Sequence, residues 1–269
     1  MTFDPRNPPT NNSLNRLRLE AAELPLPDVL RGKVAYELLS SLALDALIEH
    51  HTRDVVVFYE QVALGAKWAH AIAQTLGTRL GYMLLVLARN DTQTQQANPD
   101  KPAAYWAHWA RIRKVYVGGG LARGAVGAII TAQAQATVRS LADEPDYQVV
   151  QVEHPQYLPL LGAARTVPTG SRASILDFGG SYVKRAIAHY TPAGLSHLQL
   201  RASLPTHLPA NDDDARLIFE RMADIITQSY AGVDSATIPI SIAAYVDEHG
   251  QPLLSQSGIY MQLARLTLD

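Results

Sequence analysis

Cysteine is absent from this chain of 269 residues. Disulfide bonds are therefore excluded, and the absence says little else about the compartment of the protein. An excess of basic charge is also missing, because 23 lysine and arginine residues face 25 aspartate and glutamate residues, for a formal net charge of -2. That balance provides no electrostatic attraction to nucleic acid, and no nucleic-acid partner is expected.

Long apolar runs are absent as well. No stretch of about twenty uninterrupted apolar residues occurs, so no membrane partner is expected. The first residues, MTFDPRNPPTNNS, are polar and proline-rich, unlike a signal peptide. With 47% hydrophobic and 18% charged residues, the chain has enough apolar material for two lobes of a soluble, cytoplasmic protein.

Apolar periodicity predicts an α/β chain in which strands alternate with helices. Helical spacing runs over 33–50 and 55–88, where Gly65, Gly77 and Gly81 allow close helix contacts or a break. Further predicted elements are a strand at 114–117, a helix at 121–141, a strand at 148–153 and a helix at 157–165. Beyond residue 173 the pattern changes to three strands, a helix and a strand.

The most informative segment, Ser174 to Tyr190, reads SILDFGGSYVKRAIAHY. An apolar run ends at Asp177, two glycines follow and a second apolar run begins, which predicts a β-hairpin with a glycine turn. Gly179 and Gly180 leave room for a ligand to approach the backbone or for a positive φ, and Ser181 adds a hydroxyl to the exposed amides. Asp177 would lie beside bound phosphates, which requires a cation such as Mg²⁺ between them. An ordinary hairpin is the alternative, since short motifs carry a false-positive risk.

A second motif, KVYVGGGLARG, runs from a short strand through Gly118, Gly119 and Gly120 into a helical pattern. A strand, a Gly-rich turn and a helix start together offer free amides and a helix dipole to a nucleotide. The dinucleotide fingerprint G-x-G-x-x-G competes with this interpretation, but its third glycine would fall at residue 123, which is Arg123. A hydride-transfer enzyme is therefore the weaker interpretation of this motif.

Both motifs resemble those of ROK sugar kinases, which belong to the actin-like ATPase superfamily. DFGGSYVK is similar to the first phosphate motif of that family, and the strand that ends in GGG is similar to its adenosine motif. Residues 149–165 resemble the end of the family's fold, and residues 237–250 resemble a strand in which Ala243 and Ala244 replace the family's Pro-Gly pair. The sugar-side loop is therefore expected to differ. The resemblance covers roughly residues 30 to 265.

The resemblance implies two actin-like, ribonuclease H-like lobes around a cleft that binds ATP and Mg²⁺. Asp177 would lie near the metal, through water. The residues implied at the phosphates are Gly179, Gly180, Ser181 and Lys184, and those implied under the adenosine are Gly118, Gly119 and Gly120. Expected partners are a nucleotide and a small-molecule sugar, with a homodimer as the candidate assembly. The family's zinc site, built from a histidine and cysteines, cannot form in a chain without cysteine.

The order of the motifs is unusual, because in the family the hairpin opens the chain and the GGG motif comes near its end. A circular permutation joined at TVPTGSRAS explains this order, and so does a longer or rearranged protein cut at residue 269. We therefore expect four segments: a disordered or extended N-terminus at 1–29, a helical and α/β lobe with the adenosine motif at 30–165, a linker at 166–173, and an α/β lobe with the phosphate hairpin at 174–269 that is incomplete at its C-terminus.

The family's catalytic aspartate has no assigned counterpart in this chain. It belongs to an Asn-Asp or similar pair after the Val-Asp region, where it takes a proton from the sugar hydroxyl as general base. Asn90-Asp91 leads into a polar stretch predicted to be a loop, Asn211-Asp212 is better explained as a helix cap, and Asp269 is terminal. Two hypotheses remain: an ATP-dependent sugar kinase, or a noncatalytic nucleotide- or sugar-binding protein on the same scaffold.

Overall fold

The computed structural model describes residues 14–141, 146–165, 172–180, 182–206, 215–230, 237–244, 233, 260 and 263. Both helices and strands occur along these residues, which confirms the prediction of a mixed α/β chain. The chain divides into two compact units, one that ends at Gln156 and one that begins at Tyr157. This boundary precedes the segment 166–173 in which we expect the linker. Residues 166–171 lie outside the described part of the chain, and a strand begins at Arg172.

The first unit begins with a series of helices. They are α1 (Ala35–Leu39), α2 (Ser41–Ile48), α3 (Val55–Ala63), α4 (Lys67–Arg89), α5 (Thr92–Ala97) and α6 (Ala103–Trp109). The helix predicted at 33–50 is split at Ser40, whose side chain accepts a hydrogen bond from the backbone N–H of Ala43 and caps α2. The helix predicted at 55–88 is split near Gly65, where φ is 79°, a conformation that glycine adopts without strain.

A parallel strand pair with a crossover helix completes the first unit. β1 (Lys114–Val117) leads into a 3-10 helix at Gly120–Ala122, then α7 (Gly124–Leu141) and β2 (Gln148–Gln151). The strands pair in parallel, with Val115 opposite Val149. Parallel strands require a long crossover, which α7 provides. The predicted order of strand, helix and strand is therefore confirmed.

The N-terminal segment belongs to the core of the first unit. Leu17, Leu19, Leu24 and Leu26 are buried in one cluster with Leu84 and its neighbours on α4. A 3-10 helix covers Leu14–Arg16, and Arg18 forms an antiparallel bridge with Val34. Residues 14–29, which we expected to be disordered or extended, are thus ordered because their leucines join this core. Residues 1–13 lie outside the described part of the chain.

Two predicted glycines bring α4 and α7 close together. A Cβ atom at Gly77 would lie 2.6 Å from the carbonyl oxygen of Ile130, and one at Gly81 would lie 2.6 Å from Cβ of Thr137. Real Cβ atoms do not approach other atoms so closely, so the absence of a side chain sets the distance between the helices. The expectation that these glycines allow close helix contacts is confirmed.

The second unit is a helix followed by a four-stranded sheet. Its elements are α8 (Leu158–Ala164), β3 (Arg172–Phe178), β4 (Tyr182–Thr191), β5 (Gly194–Pro205), α9 (Ala215–Tyr230) and β6 (Ile240–Ile242). The strand order is β5-β4-β3-β6. β3 and β4 pair antiparallel, as do β4 and β5, whereas β6 runs parallel to β3. The succession of three strands, a helix and a strand is the predicted one.

β3 is buried on both of its faces. Ile175 points into a cluster with Leu160 of α8, whereas Leu176 belongs to a different cluster with Ile218 of α9. Such two-sided burial explains why β3 reads as a continuous apolar run rather than an alternating one. Asp177 interrupts that run near its end, so a carboxylate lies in an otherwise apolar strand.

Within the described residues, α4 is the one helix whose length and apolar composition would suffice to cross a membrane. Its candidate window is 56% buried inside the protein. The core helix of a soluble protein meets the same criteria, and the contacts of Leu84 in the core of the first unit fit that description. The finding is consistent with a soluble protein.

Candidate functional site

The predicted glycine hairpin is present at the carboxyl end of β3. Phe178 pairs with Val183, so Gly179 and Gly180 lie in the turn between β3 and β4. β6 ends beside this turn, because the backbone N–H of Ala243 donates to the carbonyl of Phe178 at 2.9 Å. In open α/β sheets, ligands bind outside the carboxyl ends of parallel strands. Ser181, which we expect to contribute a hydroxyl, lies outside the described residues.

Asp177 and Lys184 form an ion pair directly below the turn. They are opposite each other in the register of β3 and β4, and Lys184 Nζ donates to Asp177 Oδ2 at 2.7 Å. The side chain of Asp177 is 7% exposed and that of Lys184 is 28% exposed. A buried carboxylate requires such a charge partner, because an isolated charge is costly to desolvate. The side chain of Lys184 is thus more exposed than that of Asp177.

The turn itself differs from one expectation. Neither Gly179 nor Gly180 has a positive φ, so the two glycines do not serve a left-handed turn. The N–H of Gly179 is already used within the turn, at 3.1 Å from the carbonyl of Asp177 and 3.2 Å from that of Tyr182. A Cβ atom at Gly180, however, would lie within 4 Å of no atom of the described residues. The approach of a ligand to the backbone is therefore open at Gly180.

Two hydroxyl groups that the sequence analysis missed hold the turn. Tyr260 donates to the carbonyl of Gly179 at 3.0 Å, and Thr206 donates to the carbonyl of Gly180 at 3.1 Å. Tyr260 is fully buried, and its ring meets Phe178 edge-on with 6.2 Å between the centroids. Burial raises the pKa of the Tyr260 phenol, and the negative charge of Asp177 raises it further. No sequence pattern connects these residues with the turn, since the contacts exist only in the tertiary structure.

The second predicted motif forms the turn between β1 and α7. Gly118, Gly119 and Gly120 are exposed, and a Cβ atom at Gly119 or Gly120 would meet none of the described residues within 4 Å. Gly119 has a φ of 96°, which glycine tolerates best, and its N–H donates to the carbonyl of Pro155 at 2.8 Å. The N–H of Gly119 is thus occupied. The open side of this turn has room for a flat group such as a base.

Arg123 packs over an aromatic ring beside this motif. Its guanidinium lies 4.0 Å from the centroid of the Tyr59 ring, and the hydroxyl of Tyr59 donates to the carbonyl of Gly120 at 2.9 Å. Burial raises the pKa of Tyr59, whereas the charge of Arg123 acts in the opposite direction. Gly127, which the sequence analysis missed, lets α7 begin close to Ala122, because a Cβ atom there would overlap the carbonyl of Ala122.

Among the described residues, no group of three or more histidine, aspartate or glutamate side chains could hold a metal ion directly. Asp177 is a single carboxylate already paired with Lys184. Mg²⁺ commonly keeps several waters and is held by one or two carboxylates together with substrate phosphates. The residues of the hairpin therefore fit a metal that arrives with phosphates and meets Asp177 through water, and they do not fit a resident ion.

The residues considered as a catalytic base either cap helices or lie outside the described part of the chain. Asn90 ends α4 in a left-handed conformation with φ of 40°, and Asp91 caps α5 by accepting from the N–H of Thr94 at 2.7 Å. The polar stretch after Asp91 was predicted to be a loop, and this prediction was wrong for Thr92–Ala97 because the cap starts a helix. Asn211-Asp212 and Asp269 are not among the described residues.

The geometry yields two separate features, a glycine hairpin with a buried ion pair in the second unit and a glycine turn before α7 in the first unit. Comparisons with known proteins identify no relative of this chain. No protein-family model matches the chain, and no curated protein or solved structure gives a significant match.

Proposed function

We propose that the protein is an ATP-dependent sugar kinase of the ROK type, with lobes of the actin-like ATPase fold. The single observation that carries the proposal is the Asp177–Lys184 pair, with a distance of 2.7 Å, beneath a glycine turn that is open at Gly180. An ordinary hairpin has no need for a buried carboxylate under its turn. A site that handles phosphates and their counter-ion has a use for both charges.

Each residue of the hairpin has a distinct part in the proposed chemistry. An ammonium group has three donors, so Lys184 can keep its hydrogen bond to Asp177 and still donate to a phosphate oxygen. Asp177 would accept hydrogen bonds from water around the ion, and the N–H of Gly180 would meet a phosphate oxygen. Bound Mg²⁺ATP would supply the transferable phosphoryl group. Phosphoryl transfer depends mainly on positioning and charge neutralisation, which is what these residues offer.

The adenosine part of the nucleotide is assigned to the turn before α7. Gly118, Gly119 and Gly120 expose backbone without side chains, so a purine could lie against them. The N-terminus of α7, which begins at Gly124, follows this turn directly. This assignment follows from the resemblance of KVYVGGGLARG to the adenosine motif.

The packing of α8 supports a circular permutation. Residues 149–165 resemble the end of the family's chain, and DFGGSYVK resembles its start. Leu160 and Ala164 of α8 share a buried cluster with Ala173 and Ile175 of β3. The end-like and start-like segments thus pack together, as they would if the termini of an ancestral domain lay close in space and had been joined.

A noncatalytic nucleotide- or sugar-binding protein is the second candidate. The observation in its favour is that Asn90 and Asp91 serve as helix caps, which leaves the described part of the chain with no assigned general base. Under either candidate we propose a cytoplasmic protein with a nucleotide and a small-molecule sugar as partners, and a homodimer as the assembly to test.

Calorimetric titration with ATP, with and without Mg²⁺, tests the proposal. We expect the wild-type chain to bind Mg²⁺ATP and Asp177→Asn to lose the dependence on Mg²⁺, because the amide keeps an acceptor for Lys184 but carries no charge. Asp224→Asn, an exposed carboxylate on α9, is the matched control and should bind like the wild type. A folded wild-type chain that binds no Mg²⁺ATP would contradict the proposal. Production of ADP in the presence of hexoses would separate the kinase from the noncatalytic candidate.

A further inference from the structure

Both carbonyl groups of the glycine turn are held by neutral hydroxyl donors from distant parts of the chain. The Gly179 carbonyl accepts from Tyr260 at 3.0 Å, and the Gly180 carbonyl accepts from Thr206 at 3.1 Å. Tyr260 is 0% exposed and Thr206 is 4% exposed. The hairpin does not need these two hydrogen bonds in order to form, since the backbone hydrogen bonds between β3 and β4 already hold the strands together.

The Tyr260 contact has a geometric consequence for the neighbouring amide. The described chain contains no cis peptide bond, and a trans peptide is planar, with C=O and N–H pointing in opposite directions. Because the Gly179 carbonyl points toward the buried phenol, the N–H of Gly180 in the same peptide unit points away from it. A Cβ atom at Gly180 would also meet no atom within 4 Å in the part of the chain that the structure describes.

We propose that Tyr260 and Thr206 are positioning residues that orient the glycine turn so that the N–H of Gly180 binds a phosphate oxygen. The inference rests on the proposed function of the hairpin and adds to it the parts of the chain that make the turn ready for its ligand. A turn held in the bound orientation beforehand avoids the loss of conformational entropy on binding, which strengthens affinity.

The chemistry of the two donors suits this task. A hydroxyl orients a carbonyl without bringing a charge into the site, so Lys184 and Asp177 continue to set the electrostatics there. Burial and the nearby Asp177 carboxylate raise the pKa of Tyr260, and the phenol therefore stays protonated and keeps donating at any physiological pH. Thr206 has no charge to gain or lose.

The test measures binding of pyrophosphate and of Mg²⁺ATP to the full chain by calorimetry. Tyr260→Phe removes only the hydroxyl and keeps the ring against Phe178, and Thr206→Val removes the second donor. We expect each variant to bind roughly three- to tenfold more weakly, the effect of one hydrogen bond. Tyr190→Phe is the matched control, because the hydroxyl of Tyr190 donates to the carbonyl of Ala164 at 2.6 Å, a carbonyl outside the hairpin. That control should bind like the wild type.

A spectroscopic measurement separates positioning from general destabilisation. We expect pyrophosphate to shift the amide resonance of Gly180 in the wild type and to shift it less in Tyr260→Phe, with thermal unfolding recorded for every variant. If the wild type binds and Tyr260→Phe binds equally well, the positioning role is wrong while the proposed function stands. If Tyr190→Phe weakens binding as much as Tyr260→Phe does, the effect is one of stability and the positioning role is also wrong. A wild type that binds neither ligand would overturn both proposals.

Discussion

Aspartate has two different roles in this protein, and its surroundings decide which. Asp177 lies in an apolar strand where Lys184 compensates its charge at 2.7 Å. Asp91 lies near the surface, where its carboxylate caps α5 and also accepts from the backbone N–H of Ala22 at 2.8 Å. Both residues follow apolar runs in the sequence. Only the glycines after Asp177 distinguish a candidate ligand site from a helix cap.

The pKa of Asp91 leads to a prediction about pH. Partial burial alone would raise this pKa, but hydrogen bonds from the backbone of Thr94 and Ala22 outweigh burial and lower it. A lowered folded-state pKa means that the carboxylate stabilises the fold above its unfolded pKa of about 3.9 and that this contribution is lost as the pH falls through the folded-state value. At neutral pH, Asp91→Ala should lower the free energy of unfolding by about 1 kcal/mol.

Urea unfolding over a range of pH checks the prediction for Asp91. The difference between Asp91→Ala and the wild type should shrink in acid, whereas the exposed control Asp224→Ala should differ little from the wild type throughout. A difference that stays constant down to the acid limit would mean that the Asp91 carboxylate is not the source of the stabilisation.

The elements of the chain were predictable where one local pattern determines them. The β-branched and apolar runs identified β1, β3 and β4, and the helical spacing around Gly77 and Gly81 identified α4. Short α5 was missed, because its polar residues TQTQQA carry no apolar periodicity and the cap at Asp91 and contacts with the N-terminal segment stabilise it. The spacing of the leucines at 17–26 also indicated neither a helix nor a strand, although these leucines are buried.

The close contact between α4 and α7 leads to a prediction about stability. Gly77→Ala would place a methyl group 2.6 Å from the carbonyl of Ile130 and force the helices apart, at a cost of about 1–3 kcal/mol. Gly162→Ala on α8, where a Cβ atom meets no atom within 4 Å, should instead stabilise its helix by roughly 0.5–1 kcal/mol. Thermal and urea unfolding of both variants measure these changes, and a Gly77→Ala variant as stable as the wild type would contradict the close packing.

At the scale of the whole molecule, the sequence located both glycine motifs but not the contacts that complete them. Tyr260 lies 81 residues along the chain from Gly179, and Tyr59 lies 61 residues from Gly120, so their hydrogen bonds arise only from the fold. Lys184 was named from the resemblance of DFGGSYVK to a phosphate motif, and the register of the hairpin places it opposite Asp177. The sequence therefore named both members of the ion pair but not their contact, and it did not indicate the buried hydroxyls.

The most direct test of the account is a calorimetric titration of the full chain and its Gly180→Ala variant with Mg²⁺ATP. Among the described residues the added methyl group meets no atom within 4 Å, and the φ of Gly180 is not positive, so we expect the fold to be unaffected. In the proposed complex it would nevertheless occupy the side from which a phosphate approaches. We predict that the wild type and the control Gly162→Ala bind alike and that Gly180→Ala binds about tenfold more weakly or worse, a loss of about 1.4 kcal/mol. Equal binding by all three folded proteins would contradict the claim that this hairpin is a phosphate-binding turn.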